Sequence, residues 1–336
     1  MADAGNMIAN ESLAEAFKDD FLIGAAVNSR TIVSQRDLLL QHYNSLTAEN
    51  EMKFESLHPA EETYTFEAAD EIAAFARQNG KQLRGHTLVW HNQTPDWVFD
   101  DGHGGSADRN TVLARMKAHI DTVVGRYKGT VYCWDVVNEA VTDSGEEWLR
   151  PSKWLHTVGE DFIAQAFRFA HEADPDAQLF YNDYNECNPG KREKIYRLVK
   201  SLQEQGAPIH GIGLQGHWNL IDPSLDEIRA AIERYASLGV KLQITEMDVS
   251  MFAFDDQRTD LTAPTDEMLR LQEQRYGQFF RLFRDYKDVL TGVTFWGAAD
   301  DYTWLDYFPV RGRKNWPLLF DTNQQPKGAY REVVSL

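Results

Sequence analysis

The feature that most constrains this chain is an alternation, repeated along nearly its whole length, of short apolar runs with longer amphipathic patterns. Eight runs rich in β-branched and aromatic residues read as strands. They are Phe21 to Val27, Asn44 to Glu49, Gln82 to Trp90, Val131 to Asn138, Gln178 to Asp183, Gly211 to His217, Leu242 to Glu246 and Gly292 to Trp296. Helical periodicity fills the gaps: Ile32 to Tyr43, Phe66 to Gln78, Arg109 to Tyr127, Gly159 to Ala173, Lys191 to Glu204, Leu225 to Ala236 and Thr265 to Tyr286. A short helix over Lys327 to Val334 closes the chain, and Asn79-Gly80, Asp174-Pro175-Asp176 and Gly206 supply stop signals. Strands that alternate with helices pair in parallel, and eight such units without a linker predict a closed (β/α)8 TIM barrel of the α/β class. The 336 residues are read as one barrel domain, led by a polar segment over 1–12. An open doubly wound sheet fits less well, because no Gly-rich phosphate loop opens the first helix.

In such a barrel the reactive face lies at the C-terminal strand ends. The fourth run ends Trp134-Asp135-Val136-Val137-Asn138-Glu139 and the seventh carries Ile244-Thr245-Glu246-Met247-Asp248. Carboxylates on buried strands are costly unless paired or used, so each stretch is either an internally satisfied cluster or a site. Two glutamates at two strand ends of one barrel meet the requirement of glycoside hydrolysis, an acid for the leaving oxygen and a carboxylate for the sugar or water. The other ends add Glu49, Asn50 and Lys53; His86, Trp90 and His91; Asn182, Asp183 and Tyr184; Gln215, His217 and Trp218; then Trp296, Asp300, Asp301 and Trp304. Amides, carboxylates and a lysine suit hydroxyl groups, and tryptophan faces suit the apolar side of a sugar ring. The three histidines match no zinc spacing, so no metal and no cofactor are expected.

A net charge of −18 argues against nucleic acid and anionic membrane surfaces as partners. No apolar run approaches a membrane span, and Met1 to Met7 lacks a basic stretch followed by an apolar core. Cys133 and Cys187 lie on or beside different strands, and a structural disulfide between them is not expected. Together these features lead to the expectation of a reducing, cytoplasmic setting. Oligomeric state is left open.

Six stretches resemble the motifs of family 10 glycoside hydrolases: Thr47-Ala48-Glu49-Asn50-Glu51-Met52-Lys53, Gly85-His86-Thr87-Leu88-Val89-Trp90-His91, Trp134 to Glu139, Gly213-Leu214-Gln215-Gly216-His217-Trp218, Ile244-Thr245-Glu246 and Thr294-Phe295-Trp296-Gly297. The resemblance runs from about Phe21 to the C-terminus and is closest to the intracellular bacterial branch. It implies a retaining endo-β-1,4-xylanase acting on xylan-derived oligosaccharides by double displacement. By the same resemblance Glu139 would be the general acid/base and Glu246 the nucleophile, with carboxyls about 5–5.5 Å apart. His217 would orient Glu246, Asn138 would bind the sugar 2-hydroxyl, and Asp248 would support the nucleophile strand. Glu49, Asn50, Lys53, His86, Trp90, Gln215, Trp296 and Trp304 would surround the sugar on the nonreducing side, with Trp304 excluding the hydroxymethyl of glucose. Tyr184 and Asn182 would lie on the leaving-group side.

One stretch falls outside the resemblance. Arg311-Gly312-Arg313-Lys314 is a cationic knot in an acidic chain. It reads either as a solvated loop with surface ion pairs or as a cleft wall that receives a glucuronic-acid branch. Two rival readings of the whole remain, a β-1,4-glucanase on a related barrel and a sugar-binding barrel without catalysis.

Overall fold

The computed structural model describes residues 11–336, so all but the last two residues of the expected polar segment lie outside the described residues. Nine strands are present among the described residues: β1 Leu22–Val27, β2 Ser45–Ala48, β3 Gln82–Trp90, β4 Val131–Asn138, β5 Gln178–Asp183, β6 Gly211–Leu214, β7 His217–Asn219, β8 Lys241–Ser250 and β9 Leu290–Phe295. Every pairing between these strands is parallel. Neighbours pair in chain order from β1 to β6, β6 then pairs with β8, β8 with β9 and β9 with β1, which closes an eight-stranded barrel.

The ninth strand is a finding. The expected sixth run is split, because β6 stops at Leu214 and β7 resumes at His217 against Asp248 of β8. Gly216 between them has φ +74°, a left-handed conformation that a side chain would resist. Its N–H donates to the buried Glu186 carboxyl at 2.7 Å, which fixes the break. One helix divides, Ile32 to Tyr43 into Thr31–Ser34 and Arg36–His42; the expected Gly159–Ala173 starts later, as Phe162–Ala173, and a separate helix, Lys153–Val158, precedes it. Gly159, at φ +101°, is the stop of that preceding helix rather than the start of Phe162–Ala173.

The helix layer forms for local reasons. The helix Leu225–Ala236 opens on a capping box of Ser224 and Glu227, and Asp108, Asn188 and Thr265 cap the helices Arg109–Arg126, Pro189–Glu204 and Asp266–Asp285. Each buries one apolar stripe against the barrel: Ile228, Ala231, Ile232 and Tyr235 in the first of these. A fully buried large apolar side chain of this kind contributes about 1.5–3 kcal/mol. No helix among the described residues is long and apolar enough to cross a membrane.

Inside the barrel the lower layer is polar. Arg84 of β3, 1% exposed, donates to both oxygens of Asp135 (2.7 and 3.0 Å) and to Gln243 Oε1 (2.7 Å). Gln243 in turn donates to Tyr132 and Thr291. Asp135 therefore belongs to an internally satisfied cluster, the bland alternative for its stretch. Small residues make room in the wall: a Cβ on Gly213 would meet Asn182 Oδ1 at 2.3 Å.

Candidate active site

Glu139 follows the last residue of β4 and has φ +58°, a conformation that costs a non-glycine residue about 1–2 kcal/mol. Three hydrogen bonds hold it there. Its N–H donates to Asn182 O, its carbonyl accepts from Arg150 Nε, and the next N–H, of Ala140, donates to Tyr181 Oη, each at 2.9 Å. The turn aims the carboxyl across the barrel mouth, where Oε2 accepts from Asn138 Nδ2 (2.9 Å) and Gln215 Nε2 (3.0 Å). Burial and the nearby Asp183 carboxylate push its pKa up, the Gln215 donor opposes them, and the Glu246 charge adds to the rise.

Glu246 lies within β8 in a different setting. Its Oε1 faces His217 Nε2 at 3.0 Å and its Oε2 accepts from Asn182 Nδ2 at 2.9 Å, with His86 Nε2 3.9 Å away. Burial alone would raise its pKa, but the His217 bond, the charges of His86 and His217 and the Asn182 donor outweigh it, and the net shift is downward. His217 is bracketed, since its Nδ1 lies 2.9 Å from Asp248 Oδ1. Burial acts to lower the imidazole pKa, but the Asp248 charge and hydrogen bonds to both carboxylates raise it to about 10. It is therefore an imidazolium that donates to each. Asp248 also accepts from Trp304 Nε1 at 2.9 Å, so an aromatic ring, two carboxylates and a cation form one chain.

Two amides join the carboxyls. Asn182 Nδ2 donates to Asn138 Oδ1 and to Glu246 Oε2, and Gln215 Nε2 reaches Glu139 Oε2 at 3.0 Å and Asn138 Oδ1 at 3.3 Å. Thr245 Oγ1 pins Asn182 from below at 2.6 Å. One carboxyl is biased to stay protonated and the other to stay charged, which is the division of labour that acid-assisted nucleophilic displacement needs.

Around this pair the mouth is lined as follows. Glu49, buried, has its pKa raised by burial against an Asn28 donor at 3.3 Å and the Lys53 charge. Lys53 Nζ binds Asn50 Oδ1 (2.9 Å) and Gln93 Oε1 (3.2 Å) and sits 4.9 Å from the centre of a Trp90 ring. Burial lowers its pKa, opposed by the charges of Glu246, Glu49 and Glu139. His86 Nδ1 is held by Asp135 Oδ2 at 2.8 Å, and Trp296 meets the His86 ring edge-on at 5.5 Å. Tyr184 stands on the rim with its hydroxyl already engaged, donating to Asp143 (2.6 Å) and accepting from Arg150 (2.9 Å).

Several expectations change. Asn182 is fully buried between Glu246 and Asn138, below the cleft floor rather than on a leaving-group side. Trp218 follows the inward His217 and so points outward, where it packs on Phe279 and Phe283. Asp300 is buried on Lys327, and Asp301 binds Gln35 and Gln324. In the cationic knot, Arg313 is 4% exposed, donates to the carbonyls of Asp256 and Arg258 and covers the Phe252 ring. Lys314 binds Asp306 and the Asp300 carbonyl. Both hold loops. Cys133 and Cys187 are buried and free.

Arg84, Asn28, Gln93 and Tyr302 were not singled out in the sequence, yet each supports the mouth. Gln93 had a usable signal, its place in His91-Asn92-Gln93-Thr94-Pro95 just past a strand end. Arg84 had none, since a lone arginine in an apolar run does not announce its partner.

Comparison with known proteins points the same way. The family model described as glycosyl hydrolase family 10 matches residues 12–336. The chain is 63% identical to an endo-1,4-beta-xylanase of Geobacillus stearothermophilus, over 97% of this chain and 98% of that one. It is 61% identical to endo-1,4-beta-xylanase B of Paenibacillus barcinonensis, over 96% and 97%. Among solved structures, a xylanase of Paenibacillus barcinonensis in complex with a conduramine derivative superposes with a TM-score of 0.95 at 61% identity, covering 96% of this chain and 98% of that one. A structure in complex with xylotriose reaches 0.95 at 51% identity, over 97% and 99%.

Proposed function

The chain belongs to glycosyl hydrolase family 10, and from that premise we propose that Glu139 and Glu246 are the acid/base and the nucleophile of a retaining endo-1,4-β-xylanase. The observation that supports these roles is the opposite bias of the two carboxyls, one raised and one lowered across a shared amide bridge. Protonated Glu139 donates to the departing glycosidic oxygen while Glu246 attacks the anomeric carbon. A covalent glycosyl-enzyme forms, and Glu139, now a carboxylate, takes a proton from the water that cleaves it. His217 keeps Glu246 ionised and aimed, and Asp248 keeps His217 charged.

Asn138 donates to Glu139 and accepts from Asn182, which donates to Glu246, so it sits between the two carboxyls as the natural donor to a sugar 2-hydroxyl. Glu49, Asn50, Lys53, His86, Trp90 and Gln215 offer polar groups to the remaining hydroxyls, and Trp296 and Trp304 offer ring faces. Trp304, whose indole is fixed by Asp248, is the steric filter in this reading: its bulk at the cleft wall would clash with the hydroxymethyl group of glucose and admit xylose. Tyr184 contributes its ring edge rather than its engaged hydroxyl. Within the cationic knot Arg311 alone is exposed enough to meet a glucuronic-acid branch. A cytoplasmic setting and membership of the intracellular branch are supported by two buried, unpaired cysteines, and fractionation of the source cells tests them.

Proton NMR of the protein with linear xylohexaose tests the mechanism. Initial release of the β-anomer is expected. Initial α-anomer would overturn the nucleophile assignment, and absence of cleavage the substrate.

A further inference from the structure

Three of the five large apolar side chains most exposed among the described residues, Phe254, Tyr307 and Phe308, belong to two loops at the barrel mouth. Phe308 lies stacked on Trp304, ring centres 4.9 Å apart and planes within 14°, and Phe254 follows at 5.9 Å. Trp304 in turn donates to Asp248, the partner of His217 and so of Glu246. An aromatic ridge therefore runs without a break from beside the nucleophile out to Phe254, which is 69% exposed.

The ridge is built, not incidental. Arg313, from the loop that carries Phe308, crosses to the carbonyls of Asp256 and Arg258 in the loop that carries Phe254 and lies 4.0 Å from the Phe252 ring centre. Asn315 ties the same loops a second time, accepting from Met251 N–H at 3.1 Å and donating to Ser250 Oγ at 2.8 Å. Two loops locked together to hold phenylalanines in water make sense only if something covers those rings.

We propose that Phe254 and Phe308 form a sugar-binding shelf for xylosyl units of the same substrate chain, remote from the bond being cut. Xylopyranose presents an apolar face of axial C–H groups and carries no charge, which matches an uncharged aromatic surface. Continuity with Trp304 makes the occupant the chain already threaded through the cleft. The shelf rests on the xylanase reading and extends it: substrates that reach Phe254 gain affinity, and shorter ones do not.

The test is kcat/KM for Phe254→Ala across a ladder from xylobiose to xylohexaose and linear xylan, with Phe254→Trp beside it. Phe254 touches no catalytic group and is mostly exposed, so the fold is not at risk. The expected result is no change on the shortest substrates and a loss of about 3- to 10-fold, mainly in KM, on the longest. Phe254→Trp should keep or increase the preference for length. A uniform loss at every length, or no loss even on linear xylan, would overturn the shelf. Failure of the unmodified protein to cleave any xylo-oligosaccharide would instead overturn the function on which it rests.

Discussion

Asp248 and His217 form an ion pair at the end of a two-strand ladder, Oδ1 to Nδ1 2.9 Å, and the far side of the same imidazolium faces Glu246 at 3.0 Å. Asp248 never touches the reacting atoms in this arrangement. It acts through His217, by holding a positive charge against the nucleophile. Asp248→Asn should then lower kcat by about 10- to 100-fold with a smaller change in KM, because a donor to the ionised nucleophile is weakened. The same variant should lower the His217 pKa, visible by NMR of the imidazole ring. An unchanged ring titration would show that Asp248 serves only to pin Trp304.

The His217 pair also carries a stability signature. Its pKa rises from 6.5 to about 10 on folding, so its contribution is complete below about pH 6.5 and is lost as pH climbs through 10. Comparing thermal midpoints of the unmodified protein and His217→Asn from pH 6 to 10 should show a gap that narrows with rising pH. A constant gap would mean that the imidazole is neutral throughout.

Gln215 donates to Glu139 and so favours the charged form of a group whose pKa burial has raised. Gln215→Leu removes that donor. The alkaline limb of the kcat/KM profile, where Glu139 loses its proton, should move to higher pH, and the acid limb, set by ionisation of Glu246, should stay. A shift of the acid limb instead would exchange the assignments of the two carboxyls.

The roles of the glutamates separate in a rescue experiment. Glu139→Ala should lower kcat on xylan by about 100- to 10,000-fold, and Glu246→Ala by at least as much. With an aryl xyloside whose leaving group needs no acid, azide should restore turnover in both. The product should be the β-azide from the Glu139 variant, after two inversions, and the α-azide from the Glu246 variant, after one.

Arg84 tests the buried frame. Both of its bonds to Asp135 lie where neither partner is more than 1% exposed, and Asp135 also orients His86. Truncation by Arg84→Ala should destabilise the fold by about 3–5 kcal/mol, because it strands a charge inside the barrel. Chemical denaturation measures this, and a loss below about 1 kcal/mol would mean that water replaces the guanidinium.

The barrel was legible because burial imposes two periods that a sequence cannot hide. Strands between the helix layer and the barrel interior are buried on both faces and so run apolar on consecutive residues, as in Leu22 to Val27, and helices must be apolar on one stripe, as in Ile228, Ala231, Ile232 and Tyr235. Positions such as Gly159 and Gly216 were misread because a left-handed turn depends on what the backbone meets, not on composition alone.

The sequence by itself determined the strand–helix alternation, the barrel it closes into and the strand ends that carry Glu139 and Glu246. Tertiary structure decided which neighbours those residues have. Alternation along a strand would send adjacent residues to opposite faces, yet Thr245 and Glu246 both reach Asn182, and Asp135 and Asn138 both turn inward. Register shifts between Ile244 and Met247 and between Asp135 and Val137 lie at these two places. Such irregularities re-aim side chains, and they arise from pairing with strands tens of residues away. The difference between a raised and a lowered carboxyl is therefore a property of contacts across the barrel, which no local pattern records.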